Sequence, residues 1–316
     1  MNTGASAPGA RRSRPSSGNR RRVRRRFALV PVLLAVVLAG AGLGSVGPAA
    51  AAPAPGTEGV VVDGFGGLHV VTYGATPTIT SFNRVDYWRG WDIVRGVALR
   101  SADPTTCASF GGYTVDGYGG LHPFGINGKT PPSKPRDGPY WKGWDIARGV
   151  ALVPLDPRNP DSPPAGGFVL DGYGGLQYFT IDATVPRPTI TGAPYWPNWD
   201  IARGLIILTN PGGYNGGFVV DAWGGLHPFS IEAKAPEAVV PGSGSYWPNW
   251  SIVHGGTGLP GAAENGGLTL DGWGGLHPFT LGTGPPPDVS QVTISAYWPN
   301  WDIARGVSMK QKKACP

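Results

Sequence analysis

The chain has 316 residues and a formal charge of +6 at pH 7, with 52 Gly, 34 Pro, 12 Trp and two Cys. Nine arginines between Arg11 and Arg26 account for the sign: residues 52–316 carry 17 Lys and Arg against 20 Asp and Glu, a charge of −3. The basic balance therefore gives no case for nucleic-acid binding, and the Gly, Pro and Trp content suits short strands and tight turns rather than helices.

The first segment reads as an export signal. A basic stretch is followed by the apolar run "FALVPVLLAVVLAGAGLG" and the small-residue exit "SVGPAAAAPAPG". These are the n-region, h-region and Ala-x-Ala site of a secretory signal peptide over 1–51, with cleavage after Ala51. "RRRF" at 24–27 partly fits a twin-arginine signal, without its flanking Ser and Lys. An uncleaved membrane anchor is the alternative. The expected location is secreted or cell-wall associated, with no membrane contact after cleavage. Residues 52–58 read as a short linker and 59–316 as one repeat domain.

That domain writes one motif five times: "DGFGGLHVV" from Asp63, "DGYGGLHPF" from Asp116, "DGYGGLQYF" from Asp171, "DAWGGLHPF" from Asp221 and "DGWGGLHPF" from Asp271. A second motif, "YWxxW" followed by "DIARG" or a variant of it ("DIVRG" in the first copy, "SIVHG" in the fourth), accompanies it from Tyr87, Tyr140, Tyr195, Tyr246 and Tyr297. The period of 50–55 residues indicates a propeller, solenoid or array. Each unit reads as four strands: "WDIARGVAL", then "GGFVLDGY", then "LHPF" reached through a two-residue Gly-Gly turn, then a β-prone stretch ahead of "YW". The last is weakest at "KTPPSKPRDGPYW" (129–141), because Pro cannot donate to a ladder.

Four antiparallel strands repeated five times predict an all-β, five-bladed β-propeller, against an open β-solenoid or a tandem of small β-domains. The domain enters on a second-strand motif, "GVVVDGFGG", and leaves on a first-strand motif, "WDIARGVSM". Terminal strand closure follows: the C-terminus supplies the first strand of a blade that the N-terminus begins. Cys107 and Cys315 would then lie in equivalent loops of neighbouring blades, where a disulfide would fasten the C-terminus to the ring. Strand alternation predicts that the DGxGG turns and YWxxW segments crowd one face, with the variable loops on the other.

The candidate ligand-binding residues come from these motifs. Trp88, Trp141, Trp196, Trp247 and Trp298, with Tyr87, Tyr140, Tyr195, Tyr246 and Tyr297, suit stacking on the apolar face of a sugar ring. Asp63, Asp116, Asp171, Asp221 and Asp271 either fix the Gly-rich turns, or bond sugar hydroxyls or a metal. His69, His122, His227 and His277 suit turn stabilisation or hydroxyl bonding. They do not suit a shared metal site, because the copies are spread around the ring. The second Trp of each pair (Trp91, Trp144, Trp199, Trp250, Trp301) is expected to pack between blades. The recurring Asp/Arg pairs of "DIAR", replaced together by Ser251 and His254 in the fourth copy, are expected to form an ion-pair ring on the inner strands.

No nucleophile elbow, zinc signature, P-loop or dinucleotide fingerprint appears, and no cofactor or catalytic residue is assigned. A catalytic centre on a propeller axis needs different residues from different blades, whereas these loops are alike. Near-uniform blades suit several equivalent weak sites that act by avidity.

The motif pair "DGxGGLHPF" and "YWPNWDIARGVAL", covering 59–309, resembles secreted bacterial proteins that carry this repeat, some of them joined to cell-wall-directed domains. The predicted architecture is similar to five-bladed lectin propellers of the tachylectin-2 type, a resemblance of blade number and symmetry that implies one N-acetylhexosamine site per blade. The expected function is an exported, multivalent, carbohydrate-binding propeller acting on cell-wall or environmental glycans. A non-catalytic structural or protein-interaction propeller is the alternative, and a glycoside hydrolase or lyase a more distant one.

Overall fold

The computed structural model describes residues 56–100, 111–156, 162–181, 187–209, 215–232, 238–239, 245–259, 266–281 and 285–311. The expected signal peptide over 1–51 and the expected Cys107–Cys315 disulfide lie outside the described residues. The protein is a five-bladed β-propeller.

Strands β1 (Thr57–Asp63) and β2 (Leu68–Tyr73) are the two middle strands of blade I. Blade II holds β3 (Phe82–Asn83), β4 (Val94–Arg100), β5 (Gly111–Asp116) and β6 (Leu121–Ile126). Blade III holds β7 (Ala147–Pro154), β8 (Pro164–Asp171) and β9 (Leu176–Thr180). Blade IV holds β10 (Ile190–Thr191), β11 (Ala202–Thr209), β12 (Asn215–Asp221) and β13 (Leu226–Ile231). Blade V holds β14 (Ala238–Val239), β15 (Val253–Gly258), β16 (Gly266–Asp271) and β17 (Leu276–Leu281). The C-terminal strands β18 (Val292–Ile294) and β19 (Ala304–Gln311) return to flank β2 and β1, closing the ring. Every pairing within a blade is antiparallel.

The closure goes further than the sequence indicates. The stretch ahead of each YW pairs with the third strand of the following repeat, as β3 does with β6, and not with the repeat it trails. The C-terminus therefore supplies both the outermost and the innermost strand of blade I. YWxxW is consequently a rim-to-axis crossing over a single blade rather than a passage between blades. The Pro-rich 129–141 contributes only an isolated bridge, Arg136 to Thr180, as the outer edge of blade III. Its prolines remove the donors a ladder would use.

The core lies between the blades. Residues of β1 (Val60, Val62) pack with Val94, Val97 and Phe124 of blade II, and equivalent clusters fill other blade junctions. Phe124, Phe179, Phe229 and Phe279 of the third strands are almost wholly buried. Alternation puts each Phe in the wedge between blades.

The innermost strands β4, β7, β11, β15 and β19 pack each against the next around the axis. They meet at Gly96, Gly149, Gly204, Gly255 and Gly306. A Cβ on Gly204 would lie 2.7 Å from Gly255 Cα, and one on Gly306 2.8 Å from Gly96 Cα. The glycine of "DIARG" is thus a requirement of fitting five strands around one narrow axis.

Candidate functional site

Each DGxGG segment is a tight hairpin. In blade I the Asp63 amide donates to Gly67 O and the Gly66 amide to Asp63 O, with Gly66 at φ 94°. The loop therefore has three residues, Gly64–Gly66, and only the first glycine of the Gly-Gly pair is left-handed, in place of the expected two-residue turn. Asp63 Oδ1 accepts the amides of Phe65 and Gly67, both at 2.9 Å, and Oδ2 lies 3.0 Å from His69 Nε2. Asp116, Asp221 and Asp271 make the same three contacts, with His122, His227 and His277. Asp171 makes the two amide contacts in the repeat that carries Gln177. These carboxylates and imidazoles are half or wholly buried and face one another beneath the surface.

His122 departs from the pattern, since its Nδ1 also lies 2.8 Å from Asp86 Oδ2. Burial alone would lower the His122 pKa, but the hydrogen bonds and charges of Asp116 and Asp86 outweigh it and raise it above the usual imidazole value.

Each YWxxW is a β-turn in which the second Trp amide donates to the carbonyl of the first, as Trp91 to Trp88 at 3.0 Å. Left-handed residues follow at its third position: Gly90, Gly143, Asn198, Asn249 and Asn300, with φ 61–76°. Pro stands before the three asparagines, the chemistry of a type II turn. The first Trp hydrogen-bonds through its amide to the preceding blade's hairpin: Trp88 to Phe65 O, Trp141 to Tyr118 O, Trp196 to Tyr173 O, Trp247 to Trp223 O and Trp298 to Trp273 O, each at 2.8 Å. Its ring lies on the left-handed hairpin glycine of that blade; a Cβ on Gly119 would meet the Trp141 ring at 2.9 Å. Its other neighbour is the imidazole of its own blade, edge-on at 4.6–4.8 Å for Trp88/His122, Trp196/His227, Trp247/His277 and Trp298/His69.

The two tryptophans of each pair therefore have the reverse of their expected exposure. The first (Trp88, Trp141, Trp196, Trp247, Trp298) is half-buried in the groove between blades. The second (Trp91, Trp144, Trp199, Trp250, Trp301) is 49–52% exposed, and the accompanying tyrosines 42–63%. Each second Trp sits 5.6–6.2 Å from the hairpin aromatic of its own blade: Phe65, Tyr118, Tyr173, Trp223 or Trp273. In blade I the hairpin aromatic is also approached by the tyrosine of the next blade, Phe65 by Tyr87 at 6.5 Å. Five exposed aromatic clefts result, each lined by a Trp and the hairpin aromatic beside it, and in blade I also by the Tyr of the neighbour. All lie on the face that carries the DGxGG and YWxxW turns. The floor residues were legible as an aromatic at the variable position of every DGxGG copy. Their partner across the cleft was not.

Inside this rim runs the ion-pair ring. Arg95 reaches Asp145 of the next blade with Nε and Nη2 at 3.1 and 2.5 Å, and its own Asp92 with Nη1 at 2.9 Å. Arg148 repeats this with Asp200 and Asp145, and Arg305 with Asp92 and Asp302. Burial alone would raise the Asp92 and Asp200 pKa values, but the flanking guanidiniums overcome it and hold both carboxyls below the usual range. Asp302, paired with His254 and Arg305, is lowered to about 2. His254 Nε2 lies 2.8 Å from Asp302 Oδ1. Burial, with Arg305 and Arg203 close by, depresses its pKa below the ordinary value. Among the described residues no group of three or more His, Cys, Asp or Glu side chains is placed to hold a metal ion.

No protein-family model, curated protein or solved structure matches this chain. The site therefore has to be read from its own geometry.

Proposed function

We propose that the protein is an exported, non-catalytic, multivalent carbohydrate-binding propeller, acting on cell-wall or environmental glycans through the five aromatic clefts. The observation that carries this reading is the solvent exposure of ten Tyr and Trp rings on one face, in five near-equivalent copies. A monomer normally covers such rings, and a flat π-face matches the C–H face of a pyranose. In this reading the buried Asp–His pairs set the first Trp, the second Trp stacks on sugar, and hydroxyl bonding falls to the Tyr phenols and the exposed turn residues. Asn198, Asn249 and Asn300 hold that turn position in three blades. In the other two the turn carries exposed Arg89 or Lys142 in place of Pro. The clefts are therefore of two kinds, and the cationic pair favours acidic sugars. Five shallow sites on one disc give affinity for a polymer by effective concentration rather than by depth. The resemblance to five-bladed lectins points to N-acetylhexosamine-bearing polymers as the first ligands to try.

The test is co-sedimentation with purified cell-wall polysaccharide, with free N-acetylhexosamine as competitor. Saturable binding released by the sugar supports the reading. A folded protein that sediments with no glycan overturns it and turns the aromatic face toward a protein partner.

A further inference from the structure

The ion-pair ring has one open junction. At three of the five blade junctions a guanidinium presents Nε and Nη2 to both oxygens of the next blade's Asp: Arg95 to Asp145, Arg148 to Asp200 and Arg305 to Asp92, at 2.5–3.1 Å. At the fourth, from blade V to blade I, the carboxylate of Asp302 is present and lies 2.8 Å from His254 Nε2, without the alignment of a hydrogen bond. Between blades IV and V the residue facing Arg203 is Ser251. Arg203 Nη1 keeps its bonds to Asp200 Oδ1 and Ala202 O, both at 2.8 Å. Among the described residues, its Nε and Nη2 have no hydrogen-bond acceptor.

The missing carboxylate has a steric cause in the neighbouring hairpin. In four repeats the hairpin Asp is followed by glycine, and a Cβ there would lie 2.1–2.2 Å from Oδ1 of the ring Asp, as for Gly64 and Asp92 or Gly117 and Asp145. Only in blade IV is that residue alanine, Ala222, which is 2% exposed. A methyl group and an aspartate cannot share the place, so Ala222 and Ser251 belong together. The methyl fills the Oδ1 position. What stays open is the second oxygen position, facing Nη2. At the intact junctions the ring carboxylates are 38–47% exposed, so this position is reached from the solvent side.

The charge around the gap favours an anion. Asp200, the only carboxylate that Arg203 touches among the described residues, is shared with Arg148, which takes both of its oxygens. Burial and the nearby Arg148 and Arg95 lower the Arg203 pKa despite Asp200, the reverse of the shift at Arg148 and Arg305. A guanidinium held in a fixed fork and mostly desolvated is the natural receptor for an oxyanion.

We propose that the junction of blades IV and V is an anion-binding site, in which Arg203, with the Ser251 hydroxyl beside it, receives one oxygen of a carboxylate or phosphate group. The site lies inside the aromatic rim on the same face and stands independently of whether the rim takes sugar. An acidic polymer and a small free anion share this chemistry, and their relative affinities tell them apart.

The experiment is titration of the purified chain with inorganic phosphate, sodium galacturonate and an oligogalacturonate, followed by the Arg203 Nε–H resonance and by calorimetry at constant ionic strength. The control is the double variant Ala222→Gly/Ser251→Asp, which restores the carboxylate of the other junctions and should fold at least as stably. The expected result is saturable binding of phosphate or galacturonate that shifts the Arg203 signal and falls at least tenfold in the double variant. A tighter oligogalacturonate assigns the site to an acidic polymer; equal or tighter phosphate assigns it to a free anion. If no oxyanion shifts Arg203 more than chloride does, or the folded double variant binds as well as the natural chain, the proposal fails.

Discussion

Replacing Trp196 and Trp199 one at a time by alanine separates the ring that packs between blades from the exposed ring proposed to bind sugar, the two ends of one four-residue turn. Trp196 is half-buried, lies over Gly174, meets His227 edge-on at 4.8 Å and packs on the cluster that includes Leu176 and Leu205. Removing a wholly buried Trp costs about 3–5 kcal/mol, so a half-buried one should cost roughly 2–3 kcal/mol. For a domain of this size that lowers Tm by about 4–12 °C. Trp199 is 49% exposed and its ring contact is Trp223 at 5.6 Å. Loss of an aromatic pair costs about 1 kcal/mol, or about 2–4 °C. Calorimetric melts give the stability arm, and titration with free sugar gives the binding arm. Trp199→Ala should melt close to the natural chain while losing one sugar site, and Trp196→Ala should show the larger fall in Tm. If Trp199→Ala destabilises as much as Trp196→Ala, the assignment of the two rings is wrong.

At the axis, Gly204→Ala places a methyl 2.7 Å from Gly255 Cα; overpacking of this kind costs about 1–3 kcal/mol, visible as a lower denaturation midpoint in urea. On acidification, an unfolded carboxyl near 3.8 takes its proton before the folded Asp302 does at about 2. The stability Asp302 contributes is therefore complete above pH 4 and lost as pH falls toward 2. Its side chain is 47% exposed, so solvent screening reduces the contribution to ~1 kcal/mol, and Asp302→Asn should flatten that part of the pH–stability curve. His122 works in the opposite sense: its raised pKa adds stability that is complete below 6.5 and lost as pH rises through the folded value. Asp86→Asn should move the His122 NMR titration to lower pH, and an unmoved midpoint would show that Asp86 does not act on it.

Much of this was legible because each repeat states the same local chemistry. The Gly-rich hairpins, the antiparallel strands and the out-of-phase termini lead directly to a closed ring. The placement of the outermost strand was not legible: a short segment such as Phe82–Asn83 can pair antiparallel with the third strand on either side of it. In the structure it joins the third strand that follows it, Leu121–Ile126. The exposure of the two tryptophans differs from expectation for a related reason. Strand periodicity starts at Ile93 or Ile201, and the type II turn ahead of it turns the second Trp outward. The partners of Arg95 and Arg148 sit one whole repeat away, at Asp145 and Asp200, so spacing within a repeat could reveal only the near half of each pair. The signal was there in the substitutions: Ala222 and Ser251 depart from the pattern together because they meet at the junction of blades IV and V, while His254 changes on the other side of blade V, where it faces Asp302.

The central claim is that the exposed aromatic face binds glycan. It is tested most directly by replacing Trp91, Trp144, Trp199, Trp250 and Trp301 together with alanine and measuring co-sedimentation with cell-wall polysaccharide, with the fold checked by far-UV circular dichroism. The account predicts a folded propeller that no longer sediments with the polymer. A folded variant that sediments as well as the natural chain would contradict it.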